Sequence, residues 1–262
     1  TRICIDIYGA MNNSNWITHS RQLGIIDYVD VRQSDSDVMT VVIDLKKKYS
    51  WGYSVSYEGT NLVIKVKHTP SLSLKDLTIG LDAGHGGTAP GAVSATGLTE
   101  SEINLKLCYL VKDLLEAKGA KVVLTRTSVD QTLSMAERKK TLLDANVDML
   151  LSIHNNAGGS PFVPMGTSTY YKHIVNRDLA LCVYDRMLEL GVAEYNVTGN
   201  FNFSLCAPTE YPDVLLEAMF MSSLPDDEKL HDDAFCNALA KKVTLALEDY
   251  LKMVRKADGK VK

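Results

Sequence analysis

From residue 77 onward the chain alternates short apolar runs with amphipathic stretches of helical period. This alternation restricts that part of the molecule to a layered sheet covered by helices. Residues 77–82, 121–125, 149–153, 167–171 and 214–219 read as strands, and residues 100–118, 134–146, 176–190 and 232–254 as helices. Thr99 with Glu102, and Ser134 with Glu137, have the spacing of capping boxes, and Gly119 stops the first helix. Ile103, Leu107, Leu110, Val111, Leu114 and Leu115 form a stripe on that helix. The order β-α-β-α-β-β-α-β-α predicts an α/β fold, a mostly parallel twisted sheet with helices on both faces. Residues 1–70 differ. Runs at 2–8, 26–31, 38–45, 53–57 and 62–66 alternate with period two between turn segments such as Glu58-Gly59-Thr60-Asn61. They predict a preceding small all-β domain. The expected organisation is an all-β domain over 1–70, a linker over 71–76, an α/β domain over 77–254 and a solvated tail over 255–262.

Composition removes several function classes. Net charge is −4 and no basic run is longer than Lys46-Lys47-Lys48, so nucleic acid is not an expected partner. No apolar stretch has the length of a membrane span. The five cysteines, Cys4, Cys108, Cys182, Cys206 and Cys236, show no CxxC spacing and read as small buried hydrophobes. The chain starts at Thr1, so it is expected to be a mature form or an excised fragment, with any export signal removed or absent.

The first strand of the α/β part ends in Asp82-Ala83-Gly84-His85-Gly86-Gly87, one imidazole wrapped in glycine. Open α/β sheets place ligands beyond the carboxyl ends of their strands. His85, Glu100 at the start of the first helix, His154 at the end of the third strand and Glu217 inside the strand 214–219 all fall in or near such positions. Each has a bland explanation when taken alone. Either histidine could be hydrogen-bonded or exposed at a strand end, and Glu100 could serve only the helix dipole. Glu217 could pair with Arg126 or Lys121, although a carboxylate inside an apolar strand costs several kcal/mol unless it is paired or bound. Together, two histidines and one carboxylate make a His2Glu zinc set with an open fourth position, the pattern of catalytic sites. A second carboxylate, Glu217, could then move a proton. No HExxH motif is present, and spacing alone leaves the zinc assignment open because the three residues are scattered.

Several segments, in order over residues 75–252, resemble the zinc-dependent N-acetylmuramoyl-L-alanine amidases of the amidase_3 family. Asp82-Ala83-Gly84-His85-Gly86-Gly87 is similar to their DPGHGG motif, and Gly97-Leu98-Thr99-Glu100-Ser101-Glu102-Ile103-Asn104-Leu105 to GLxEKDVNL. Lys121-Val122-Val123-Leu124-Thr125-Arg126 matches KVVLTR, and residues 133–138 resemble SLxER. Ser152-Ile153-His154-Asn155-Asn156-Ala157 resembles SIHANA, and residues 212–223 resemble PAVLVExGFxSN. The resemblance implies zinc held by His85, Glu100 and His154, with Glu217 as the catalytic carboxylate. It implies peptidoglycan as substrate, cut between N-acetylmuramic acid and L-alanine; substrate contacts are expected at Asn155, Asn156 and Arg126, of which Asn155 departs from the alanine usual in the motif. The expected location is the cell envelope, periplasmic or extracellular.

Ala83 stands in place of the usual proline, and residues 200–208 match only loosely. Only residues 155–166 separate His154 from the next strand, too few for the long inhibitory helix some relatives insert there. An open site is expected. The N-terminal part weakly resembles the later strands of AMIN domains, implying contacts with cell-wall or divisome components and a chain truncated at its N-terminus. Two other readings remain open at this point: a zinc metallopeptidase cutting within the stem peptide, and an inactive cell-wall binding module.

Overall fold

The structure, a computed structural model, describes residues 1–13 and 24–259. The last three residues of the expected tail lie outside this range. The chain divides into two compact units, one made of Thr1–Ser50 with the C-terminal residues from Val254, the other of Trp51–Met253.

In the first unit, β1 (Arg2–Tyr8), β2 (Ile26–Asp35) and β3 (Val38–Leu45) form an antiparallel sheet of order β1-β3-β2. Its period-two alternation buries Ile3 beside Ile43, while Arg2 and Asp44 pair on the exposed face at 2.7 Å. The other two N-terminal strands, β4 (Tyr53–Glu58) and β5 (Asn61–Val66), do not join that sheet. They form a separate antiparallel hairpin that belongs to the second unit.

The second unit is the expected α/β fold. It contains β6 (Thr78–Ala83), α1 (Glu100–Ala117), β7 (Lys121–Leu124), α2 (Met135–Asp144), β8 (Met149–Asn156), β9 (Thr167–Tyr170), α3 (Arg177–Leu188), β10 (Glu194–Thr198), β11 (Asp213–Phe220) and α4 (Leu224–His231), and α5 (Asp233–Asp258) begins in it. The six-stranded sheet has the order β10-β9-β11-β8-β6-β7. Strands β7, β6, β8 and β11 run parallel; β9 is antiparallel to β11 and carries β10 parallel to itself at the edge. Both capping boxes form, at Thr99/Glu102 and Ser134/Glu137. Two elements lie outside the sequence expectation, β10 and α4. Among the described residues no helix is long and apolar enough to cross a membrane, and the five cysteines are free, with Cys108, Cys206 and Cys236 buried.

Register decides which side chains meet. Asp82 lies beside Ser152, and Ser152 and His154 lie beside Leu215 and Glu217. Because side chains alternate along a strand, these five share one face of the sheet. The register of β11 against β8 shifts just past Glu217, a bulge of the kind that re-aims a side chain.

Asp213, at the start of β11, is fully buried, and neither of its oxygens receives a hydrogen bond of good geometry. Burial pushes its carboxyl well above the usual range, and the nearby Asn176 side chain opposes this only in part. A carboxyl whose folded pKa is raised costs stability as pH climbs from its unfolded value of about 3.9 to its folded one. Asp213→Asn is therefore expected to raise the thermal midpoint by about 2–8 °C at pH 8 and by little at pH 4. Thermal unfolding of both proteins across that range checks this, and a gain independent of pH would count against it.

Candidate metal centre

The site is built where β6, β8 and β11 end. Past β6 the backbone takes the left-handed conformation at His85 (φ 63°), uncommon for a residue with a side chain, and stays at positive φ through Gly86 and Gly87. This turn presents the His85 imidazole to Glu100, the first residue of α1, with Nε2 at 3.1 Å from Oε2. His154 Nδ1 lies 3.1 Å from the other oxygen, Oε1. One nitrogen from each ring and one carboxylate oxygen, all within 4.8 Å of one another, form a group able to hold a metal ion. The two rings meet edge to face with centroids 5.1 Å apart.

The glycines acquire specific reasons. A Cβ on Gly84 would fall on the His154 ring, and one on Gly91 would strike the Glu100 carboxylate. Backbone must pass this close for the three side chains to converge.

Buried polar groups hold the loop from below. The Arg138 guanidinium, on α2, donates to Asp82 Oδ1 at 2.8 Å and to the carbonyls of Ala83 at 2.7 Å and His85 at 2.5 Å. Thr125 and Ser152 complete the shell of Asp82. Although burial opposes it, Arg138, His154 and Thr125 hold the Asp82 carboxyl below the usual range. Arg126 is also buried. It donates to the carbonyls of Ala83, Gly84, Ser101 and Ser128. That placement differs from the substrate contact expected of it: a guanidinium committed to four carbonyls braces the histidine loop and has no path to a ligand.

Asn155 lines the cleft and also braces the site. Its side chain is buried between Asn104 and the Met219 amide, and its own amide donates to Glu100 Oε1. Asn104 also donates to Glu100 Oε1 and to the Gly84 carbonyl. These bonds orient the carboxylate. Asn156, half-buried at the end of β8, lines the cleft too.

The cleft has a volume of about 580 Å³ and contains His85, Glu100, His154 and Glu217. Its apolar wall includes Met135, Phe203, Leu205 and Leu215. The connection between β8 and β9 contains no helix, which agrees with the expected open site.

Electrostatics separates the two glutamates. Burial would raise the Glu100 carboxyl, but hydrogen bonds with His154 and His85 outweigh it and hold it far below the usual range. Burial alone would lower His154; the bond to Glu100 and the nearby Glu217 raise it. Glu217 has no such partner. Its Oε2 is buried without a hydrogen bond, and burial raises its carboxyl to about 7, against the pull of His154. The ion pair with Arg126 or Lys121 does not form, since Arg126 is fully engaged elsewhere and Lys121 begins the edge strand β7. One anionic carboxylate and one poised near neutrality, side by side, are suited to ligation and proton transfer respectively.

Asp82, Asn104 and Arg138 lie within the sequence motifs, and residue type alone assigns them no role. A usable signal was present, since a charged Asp82 ends an otherwise apolar strand and needs a buried cation.

Residues 79–249 match the family model Amidase_3, described as N-acetylmuramoyl-L-alanine amidase. The N-acetylmuramoyl-L-alanine amidase CwlM of Bacillus licheniformis is 34% identical over 173 residues, covering 62% of this chain and 63% of that protein. The probable cell wall amidase LytH of Staphylococcus aureus is 31% identical over 194 residues, 73% of this chain and 64% of that one. The chain thus spans slightly under two thirds of the length of both relatives. The catalytic domain of the amidase CwlV from Bacillus (Paenibacillus) polymyxa var. colistinus superposes with a TM-score of 0.63 at 28% identity, covering 67% of this chain and 98% of that domain. With the family model extending over well over half of its length, this chain belongs to the N-acetylmuramoyl-L-alanine amidases of the Amidase_3 family.

Proposed function

We propose that this chain is a zinc-dependent N-acetylmuramoyl-L-alanine amidase, cutting the amide between the lactyl group of muramic acid and the L-alanine of the peptidoglycan stem. The observation that carries the reading is the convergence of His85, Glu100 and His154 in a cleft, with Glu217 unpaired beside them. The donor set suits zinc. Two imidazole nitrogens and one carboxylate leave a fourth tetrahedral position free. The Glu100 carboxylate meets both rings at 3.1 Å, each through a different oxygen, so the three side chains that would hold the ion already converge. Asn104 and the Asn155 backbone amide supply outer hydrogen bonds to Glu100, and Arg138 fixes the His85 backbone through its carbonyl.

Zinc at such a site supplies Lewis acidity, polarising the scissile carbonyl and bringing the pKa of water to about 7. The chain's own residues do the rest. The Glu217 carboxylate takes the proton of the attacking water and returns it to the leaving amine of L-alanine. Burial raises its affinity for a proton, which favours its holding the proton between the two transfers, while a bound cation would oppose that rise. Leu215 and Phe203 keep the wall around it apolar, and Asn156 offers an amide for a polar group of the substrate. Action in the cell envelope is supported by the relatives' description as cell wall amidases.

Mass spectrometry of purified peptidoglycan digested by the zinc-reconstituted protein tests the proposal. Intact stem peptides with a free N-terminal L-alanine, and glycan with free lactyl carboxylates, are expected. Cuts confined to the interior of the stem would replace the amidase reading with that of a metallopeptidase.

A further inference from the structure

We propose that the hairpin β4–β5, which lies outside the family-matched residues 79–249, is a substrate-positioning element that holds the cleft wall at 201–210 in place. The inference rests on the amidase reading for its kinetic consequence, but not for its structural one.

The wall needs a brace. Between β10 and β11 the chain forms only turns and irregular backbone, yet Phe203, Ser204 and Leu205 line the cleft that holds Glu217. Such a segment takes its position from whatever it is bonded to. Inside, Leu205 and Tyr211 anchor it in the core with Leu142, Val147 and Leu150. Phe203 packs in a cluster with Tyr170 and Phe201, with centroid separations of 4.5–5.4 Å. Outside, the hairpin closes on it. The Tyr53 amide donates to the Thr209 carbonyl at 2.7 Å, and the Thr209 hydroxyl donates to the Tyr53 carbonyl at 2.8 Å. Gly52 lies so close that an added Cβ would meet the Glu210 carbonyl carbon at 2.5 Å.

The hairpin is itself fixed at its base to the central sheet. Trp51 is buried and donates from its indole to the Asp148 carbonyl at 2.9 Å. Lys67 donates to the Val147 carbonyl at 2.7 Å and pairs with Asp148 at 3.6 Å. The Lys67 amide closes the base by donating to the Gly52 carbonyl at 2.8 Å. A clamp with one end on the start of β8 and the other on Thr209 fixes the distance between the sheet and the wall. That distance sets the width of the cleft where Phe203 faces the substrate. The metal ligands, by contrast, are held by Arg126, Arg138 and Asn104, none of which touches the hairpin.

Thr209→Val removes the side-chain bond and keeps the shape; Thr209→Ser keeps the hydroxyl. For Thr209→Val, KM for a soluble muramoyl-peptide is expected to rise about three- to tenfold, with kcat changed less than about twofold. Zinc stoichiometry should stay at the parent value, and Thr209→Ser should restore KM. Hydrogen exchange gives a readout independent of activity. Amides of residues 201–208 should exchange faster in Thr209→Val while those of α1 and β8 stay as in the parent. Unchanged exchange at 201–208 would overturn the brace, and so would faster exchange there with KM unchanged. Uniformly faster exchange across the protein would also overturn it, by showing general destabilisation. If the parent protein releases no stem peptide, the amidase reading fails, and the exchange experiment still decides the brace.

Discussion

Glu217→Gln is expected to lower kcat on peptidoglycan by about 10²–10⁴-fold while leaving zinc content at the parent value. The substitution keeps the side-chain volume and removes only the ability to hold a proton. Glu217 lies beside His154 on the neighbouring strand but is not one of the three converging donors, so the donor set stays complete in the variant and zinc in excess should fill it. Stability should move the other way. Burial raises the Glu217 carboxyl to about 7, so in the metal-free protein its ionised form is disfavoured above that pH. A folded pKa raised above the unfolded one means stability is lost as pH rises through the folded value, and an amide does not incur that loss. Metal-free Glu217→Gln should therefore melt at or above the parent temperature at pH 8. In the loaded enzyme a nearby positive charge lowers the same carboxyl, which places the acid limb of the parent's pH–rate profile below about 7. Activity within tenfold of the parent would remove Glu217 from the proton-transfer role, and loss of zinc in the variant would make it a ligand instead.

The elements that the sequence made legible are those whose local pattern agrees with the fold. Strands β6, β8 and β11 are nearly continuous apolar runs because they are covered on both faces, and α1 announces itself by its cap and stripe. Strand β10 does not, because Glu194, Tyr195 and Asn196 are all exposed at the sheet edge and leave no alternation to read. Helix α4 had a signal that was passed over. Ser223 caps it, Pro225 lies in its first turn, and Asp226 and Asp227 follow. Both aspartates are buried, Asp226 accepting the amides of Met165 and Gly166. The separation of β4–β5 from the N-terminal sheet could not be read locally, since a hairpin's sequence is the same whichever surface it packs on. In the site, residue type and position marked His85, Glu100, His154 and Glu217 as candidates; register sets Glu217 beside His154, and the turn after β6 and the start of α1 bring in His85 and Glu100. Arg126 differs from its expected role for one reason. A polar residue next to a ligand motif looks the same in sequence whether it faces the ligand or holds the motif from behind.

The second large effect is expected at Glu100. Glu100→Gln removes the only anionic donor of the three and should weaken zinc binding by more than about 100-fold, measured by competition with a chromophoric chelator. Activity at limiting zinc should fall to background and return in part with excess metal, because His85 and His154 remain. The pH dependence of zinc affinity provides a second, graded check. A histidine must be neutral to bind metal, so protons compete for the site. In the parent, His154 is raised above the usual value of about 6.5 by its bond to Glu100 and the nearness of Glu217, against the effect of burial. Zinc affinity in the parent should therefore climb as pH rises through and beyond the ordinary histidine range. In Glu100→Gln the main support of that raised value is gone. Burial then acts with less opposition, the His154 pKa falls, and the rise in affinity should shift to lower pH even though the affinity reached is smaller. The two changes oppose each other at acid pH, so the parent-to-variant ratio of affinities should be largest in alkali and narrow as pH falls. A ratio constant across pH would separate the Glu100 charge from the titration of His154 and leave the carboxylate with ligation alone.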